Sequence, residues 1–253
     1  MYGKRYDLDG NNYVVGRRKM QRKPKGPVAF GANRALYDYV KKKYPSGDVV
    51  ITESYIRSEL VLGTQNSLSF NILQNVGIVR PSEHRLSQAD RFVANEVGFF
   101  LQRSSTTAGA TSQTLLHTYP NPNVFPEASA LNSCYNGFAT FKIGPTTYYD
   151  SLDVLEFMRI GIAQQGLATI GTAALPGTSP VGAYAADQWT TANYGFKSLT
   201  PSMEISGLDK TTFDITLPES SAMGSAAAGF NNVAILFFRG FLIQNGANHK
   251  PAF

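Results

Sequence analysis

The chain holds one cysteine, Cys134, one tryptophan and three histidines in 253 residues. A single thiol excludes an intrachain disulfide framework, and with it the stapling of small secreted domains. His84, His117 and His249 are scattered, and none stands at metal-ligand spacing from another or from Cys134, so no zinc site is expected. Long apolar runs are missing too. The richest, Val233 to Phe238, resumes after Arg239 only as far as Ile243, short of the ~20 residues a spanning helix needs. The opening Met1-Tyr2-Gly3-Lys4-Arg5 lacks the apolar segment of a secretory signal. These absences predict a soluble protein made in the cytoplasm.

Catalytic signatures are equally scarce. There is no nucleophile elbow, P-loop or dinucleotide fingerprint. The segment Asp7 to Asn12, DLDGNN, has its glycine at the fourth position where a calcium loop needs it at the sixth, and no glutamate closes it. Asp150, Asp153 and Glu156 form a carboxylate stripe best explained as acids at a helix start. Cys134 beside Tyr135 fits a small core filler better than a nucleophile. No enzyme, cofactor or metal is expected.

Charge is low and unevenly spread. Charged residues make up 16% of the chain, against a usual quarter. Such a surface suits a protein that buries its exterior against neighbours, and equally an ordinary β-sandwich. Of 23 Lys and Arg residues, 12 fall in the first 47 positions beside only three acids, a net charge of +9. The remaining 206 residues carry 11 bases and 15 acids, a net −4. A polycationic arm on a mildly acidic body divides the labour: the arm meets polyanions and the body folds.

The chain therefore divides into residues 1–47, a basic arm ending in a short helix, and residues 48–253, a folded body. Residues 1–28 lack hydrophobic periodicity and contain Gly3, Gly10, Gly16, Pro24, Gly26 and Pro27. They are expected to be disordered, or ordered only on a partner. Fully extended, the first 25 residues reach roughly 80 Å at ~3.3 Å each. From Asn33 to Tyr44 the apolar residues Leu36, Tyr37, Val40 and Tyr44 share a helical face. Lys41, Lys42 and Lys43 close its last turn, where cations favour the dipole. They are either a solvated helix end or an extension of the polyanion surface.

Past Gly47 the pattern is that of strands. Ser67–Ile72 and Thr211–Leu217 alternate apolar with polar. Phe92–Leu101 reads as a strand buried on both faces. Thr114–Tyr119, Phe138–Ile143 and Ser202–Ser206 follow the same grammar, and Val233–Ile243 is apolar enough to be central. A helix is predicted near 150–162, capped by Asp150 or Ser151, with Leu152, Leu155, Met158 and Ile162 inward. Gln164–Gly195 and Ser220–Gly229 read as long loops. The expected fold is an all-β, antiparallel β-sandwich of jelly-roll type with long loop insertions and one or two short helices; a compact double jelly roll is the second choice. Tyr119, Phe125, Tyr135, Phe138, Tyr148 and Tyr149 lie where Lys142 is almost the only base, so packing explains them better than base stacking.

A basic arm, a helix at its end and a sandwich of about 200 residues with elaborate loops resembles the coat proteins of small icosahedral viruses. The strand Asp90–Leu101, DRFVANEVGFFL, and the terminal Phe237–Ala247, FFRGFLIQNGA, are similar to structural proteins of small phages. The resemblance implies a viral major capsid protein that self-assembles into the icosahedral shell of a virion and is made in the host cytoplasm. Its arm lies inside the shell against a packaged DNA or RNA genome or against neighbouring subunits. Genome contact falls on Arg17, Arg18, Lys19, Arg22, Lys23 and Lys25, then Lys4 and Arg5, with Lys41, Lys42 and Lys43 behind them. Partners are further copies of the chain, the genome, other virion proteins and, if a membrane lies beneath, its anionic lipid. Flexible cations displace counterions without reading sequence, so binding should be non-specific. A non-viral or accessory β-domain binding nucleic acid as a small oligomer is the alternative. An enzyme or carbohydrate-binding sandwich with a basic tail comes third.

Overall fold

The computed structural model describes residues 5–6, 12–13, 31–45, 49–77, 80–106, 115–122, 124–159 and 195–249. The chain forms two compact units, Met1–Asp38 and Tyr39–Phe253. In the first, β1 (Arg5–Tyr6) pairs antiparallel with β2 (Asn12–Tyr13), and that ladder is the described part of a leader expected to be disordered. Arg17, Arg18, Lys19, Arg22, Lys23, Lys25 and Lys4 lie outside the described residues, as do all of the candidate calcium loop but Asn12. Helix α1 runs Gly31–Lys43 and ends on Lys41, Lys42 and Lys43, close to the expected span. Its final residues, from Tyr39 onward, belong to the second unit.

The body is an all-β antiparallel sandwich of two four-stranded sheets. Its strands are β3 (Val50–Val61), β4 (Thr64–Asn71), β5 (Arg91–Ser105), β6 (Phe138–Ile143), β7 (Thr146–Asp153), β8 (Phe196–Ser206), β9 (Thr211–Ala222) and β10 (Phe230–Gln244). One sheet has the order β3-β10-β5-β8 and the other β4-β9-β6-β7. The pairs β3·β10, β4·β9, β5·β8 and β6·β7 nest first strand with last. The body is thus one long antiparallel ribbon, rolled so that successive rungs fall in opposite sheets. Eight strands in one pair of sheets make a single sandwich, and no second pair occurs among the described residues.

The sequence pattern accounts for most strands. On β4, Leu68 and Phe70 point into the core while Ser67 and Ser69 stay exposed; on β9, Phe213, Ile215 and Leu217 do the same. The central pair β5 and β10 is buried on both faces, as long apolar strands require. Between the sheets, Phe141 lies 5.9 Å from Phe213 and 5.5 Å from Phe238, and Phe99 meets Tyr135 edge-on at 5.3 Å. Tilted and T-shaped rings of this kind fill the layer at about 1.5–3 kcal/mol per fully buried side chain. At the β5 bulge, where Asn95 is the extra residue opposite Arg239 and Gly240, the backbones come so close that a Cβ on Gly240 would stand 1.9 Å from the Val93 carbonyl oxygen, which restricts the position to glycine.

Three expectations are corrected. Of the helix placed near 150–162, the described residues 150–159 are instead the end of strand β7 followed by one 3-10 turn, Val154–Phe157, and Ile162 lies outside the described residues. Asp153 does cap, accepting from the Leu155 amide at 2.9 Å, but it caps that single turn. Leu155 is half exposed while Val154 and Phe157 are buried, so the inward set does not follow the helical period. The β-forming run Thr146-Thr147-Tyr148-Tyr149 has prevailed by pairing with β6. Of the strand expected over Thr114–Tyr119, the described residues from Leu115 onward make one bridge, with Leu101 and His117 exchanging backbone hydrogen bonds of 2.8 Å, because Pro120 and Pro122 cannot extend the ladder. Ser220 to Ala222 continue β9, shortening the loop that follows. The loop expected over Gln164–Gly195 lies, Gly195 excepted, outside the described residues.

The edges of the sandwich are managed differently. Strand β3 carries polar residues and is crossed by the segment at Glu83–Arg85, where Arg57 and His84 exchange backbone bonds. The Glu83 side chain is fully buried: it pairs with Arg85 at 2.7 Å and accepts from the Glu59 and Arg80 amides. Arg57 pairs with Glu59 at 2.7 Å. This charged clasp covers the edge and blocks strand addition there.

Candidate nucleic-acid interface

The described cations of the expected interface are those at the end of α1. Lys41 is exposed, with no hydrogen bond or ion pair to its side chain among the described residues. Lys42 is exposed as well but has a partner of its own. Lys43 is committed elsewhere. Its Nζ donates to Glu204 Oε2 at 2.6 Å, and its side chain is only 17% exposed. Of the three, then, Lys43 is an anchor and not a free cation. Arg5 belongs to the β1 ladder, and the other leader cations lie outside the described residues.

Glu204 is the hub of that anchor. It stands on β8, between the inward-facing Met203 and Ile205, so its carboxylate points to the outer side of the sheet. Lys43 and Tyr44 reach it from the end of α1, and Arg91 reaches it from β5 with Nη1 at 2.8 Å. Arg91 also donates through Nε to the Gly246 carbonyl at 3.0 Å. Burial alone would raise the Glu204 pKa, but the bonds from Lys43, Tyr44 and Arg91 and the charge of Lys43 outweigh it and hold the carboxyl below its usual range. Burial, then the Glu204 carboxylate, pushes the Tyr44 hydroxyl well above its ordinary value. Val40 and Tyr44 are buried beside this cluster. The polar bonds and the apolar contacts together fix the last turn of the helix on the body.

Of the aromatic residues weighed as base-stacking platforms, Tyr119, Phe125 and Tyr135 are buried. Phe138 and Tyr148 are exposed, on β6 and β7. Cys134 is fully buried, its Sγ 3.2 Å from the Met223 sulfur, and burial pushes its thiol up to about 12. It is core filler. The supposed carboxylate stripe is dispersed: Asp153 caps the 3-10 turn and Glu156 pairs with Lys197. Among the described residues no three His, Cys, Asp or Glu converge as a metal site, and no helix is long and apolar enough to cross a membrane.

Sequence reasoning missed Glu204 and Arg91. Glu204 lies in no motif, Arg91 was read only as part of the strand Asp90–Leu101, and Glu204 meets Tyr44 across 160 positions of chain. The available signal was weak: one acid inside an otherwise apolar strand flank, Met203-Glu204-Ile205. No family model, no curated protein and no solved structure matches the chain.

Proposed function

We propose that the chain is the coat protein of a small virus, assembling with copies of itself into a closed shell while its leader holds the packaged nucleic acid. The observation that carries this reading is the joining of a leader with net charge +9 to one rolled eight-stranded sandwich. The nested pairing and the two strand orders support a jelly-roll reading of the sandwich, an architecture shared by viral capsid domains, lectins and cupins. The leader favours the capsid among them, since a lectin or cupin has no use for a polycation of this density. Large apolar side chains left exposed around the sandwich, Leu115, Phe138, Leu155 and Leu208 among them, suit burial against neighbouring subunits.

Within this reading Lys4, Arg5, Arg17, Arg18, Lys19, Arg22, Lys23 and Lys25 neutralise phosphates, with Lys41 and Lys42 at the point where the leader joins the body. Each arm adds modest affinity, and many copies in one shell act together. The shell and its genome form the virion. The test is retention of nucleic acid against nuclease, comparing the chain with one in which Arg17, Arg18, Lys19, Arg22, Lys23 and Lys25 are glutamine. Loss of protected nucleic acid with particles still formed supports the reading. Unchanged protection, with binding indifferent to salt, contradicts it.

A further inference from the structure

The outward face of the β4-β9-β6-β7 sheet contains a polar cleft of about 390 Å³ lined by Ser69, Lys142, Gly144, Lys210, Thr212 and Asp214. It is built where two turns meet. The β6–β7 turn reverses through Gly144 at φ +56, and the Gly144 amide donates to the Lys210 carbonyl of the β8–β9 turn at 2.8 Å. That bond fixes the two lysine-bearing segments side by side. Across the sheet, Thr212 stands between Lys142 and Asn71, and Asp214 stands between Thr140 and Ser69. The Ser69 hydroxyl donates to Asp214 Oδ1.

The two lysines differ from the ion-paired cations of the body. Arg57, Arg85, Arg91, Lys197 and Arg239 each sit on a carboxylate. The ammonium groups of Lys142 and Lys210 have no ion-pair or hydrogen-bond partner among the described residues, and Asp214, though in the same cleft, pairs with Ser69 and with neither lysine. Two unneutralised ammonium groups, hydroxyls on two strands and a carboxylate that accepts hydrogen bonds form a mixed donor and acceptor set. A bare anion would satisfy the lysines and be repelled by Asp214. A neutral sugar would satisfy Asp214, Ser69 and Thr212 and leave the lysines unused.

We infer that this cleft binds an acidic sugar, its carboxylate or ester oxyanion held by Lys142 and Lys210 and its hydroxyls by Asp214, Ser69 and Thr212. Charge-assisted bonds from two lysines supply affinity, and the carboxylate opposite supplies discrimination for hydroxyl-bearing ligands. The inference stands apart from the proposed shell, because the cleft is complete within one chain.

The test is lysine acylation of the full-length chain, resolved site by site by mass spectrometry, at matched ionic strength. The probes are glucuronate, glucose 6-phosphate, glucose and inorganic phosphate. Site resolution separates the cleft from the leader, whose lysines respond to any polyanion, and works equally on a monomer or a particle. Glucuronate, glucose 6-phosphate or both should protect Lys142 and Lys210 together while Lys41 stays reactive. Which of the two protects tells a carboxylate ligand from a phosphate ester. Glucose should not protect, and phosphate should protect more weakly than the sugar acids. Lys142→Gln should raise the concentration protecting Lys210 roughly tenfold, about the loss of one charge-assisted contact. Asp214→Asn should weaken the sugar acids and leave phosphate unchanged or stronger. Both side chains lie on the outward face, and an unchanged melting temperature confirms folding. No protection of either lysine overturns the inference, as does equal protection by phosphate and the sugar acids, or protection indifferent to Lys142→Gln.

Discussion

On the β3-β10-β5-β8 sheet the outward side chains Val93, Phe100, Val233, Ile235, Phe241 and Ile243 are as buried as the core itself. On β4-β9-β6-β7 the outward side chains are polar, with Ser67, Ser69, Thr216 and Lys142 exposed and Thr212 and Asp214 half-exposed. The first sheet is closed over by its own chain. Phe196 packs on Phe100 at 5.3 Å, and Phe100 joins Val233 and Ile235 in a second apolar cluster. The Glu204 hub holds the end of α1 over the same sheet. The second sheet keeps a clean inside and outside. One sandwich thus devotes one sheet to stability and to anchoring the basic helix, and leaves the other free to meet solvent or ligand.

That contrast can be broken most severely on the first sheet. Ile235→Ala removes a fully buried side chain from its outer face and should cost about 2–5 kcal/mol, while Thr216→Ala on the exposed face of the second sheet should stay within about 0.5 kcal/mol. Urea unfolding midpoints of the two variants measure the difference. Equal effects would mean that the outer cluster of the first sheet carries no stability.

The hub comes next. Glu204→Gln leaves Lys43 and Arg91 beside a neutral group and should cost about 1–3 kcal/mol, seen as faster amide exchange over Tyr39–Lys43. The pH dependence has a definite sign. The folded Glu204 carboxyl is held below its ordinary value, so its contribution is complete above that ordinary value. It is lost as pH falls through the lowered folded one. Acid should therefore loosen the helix end in the parent chain and leave the Glu204→Gln variant unaffected over the same range.

A smaller effect is expected in the leader. Neutralising Arg17, Arg18 and Lys19 should reduce the slope of log affinity against log salt by roughly 0.7–0.9 per residue and leave thermal stability unchanged. Cys134, buried with its thiol pushed up to about 12, should resist alkylation at neutral pH until the chain unfolds.

The strands that were legible in the sequence are those whose partners impose a period. Leu68 and Phe70, or Phe213, Ile215 and Leu217, face one core, and their alternation announces it. Strand β3 carries no such signal, because its charges Arg57 and Glu59 belong to the clasp with Glu83 and Arg85, assembled from a separate segment. Strand β7 was mistaken for a helix because Leu152, Leu155 and Met158 happen to recur at helical spacing, although Leu155 meets solvent. The leader was visible as charge, and Lys142 stood out as an isolated base. Its convergence with Lys210 is a product of the two turns meeting, as the Glu204 hub is a product of β8 lying beside β5, and neither is written in local pattern.

The central claim is self-assembly, and the size of the purified full-length chain tests it most directly, by light scattering with negative-stain imaging at low and high salt. Uniform closed shells, tens of nanometres across, are the predicted result. A chain that stays a monomer or small oligomer at both salts, with its body as well as its leader protecting nucleic acid, would contradict the account and favour a free nucleic-acid-binding domain.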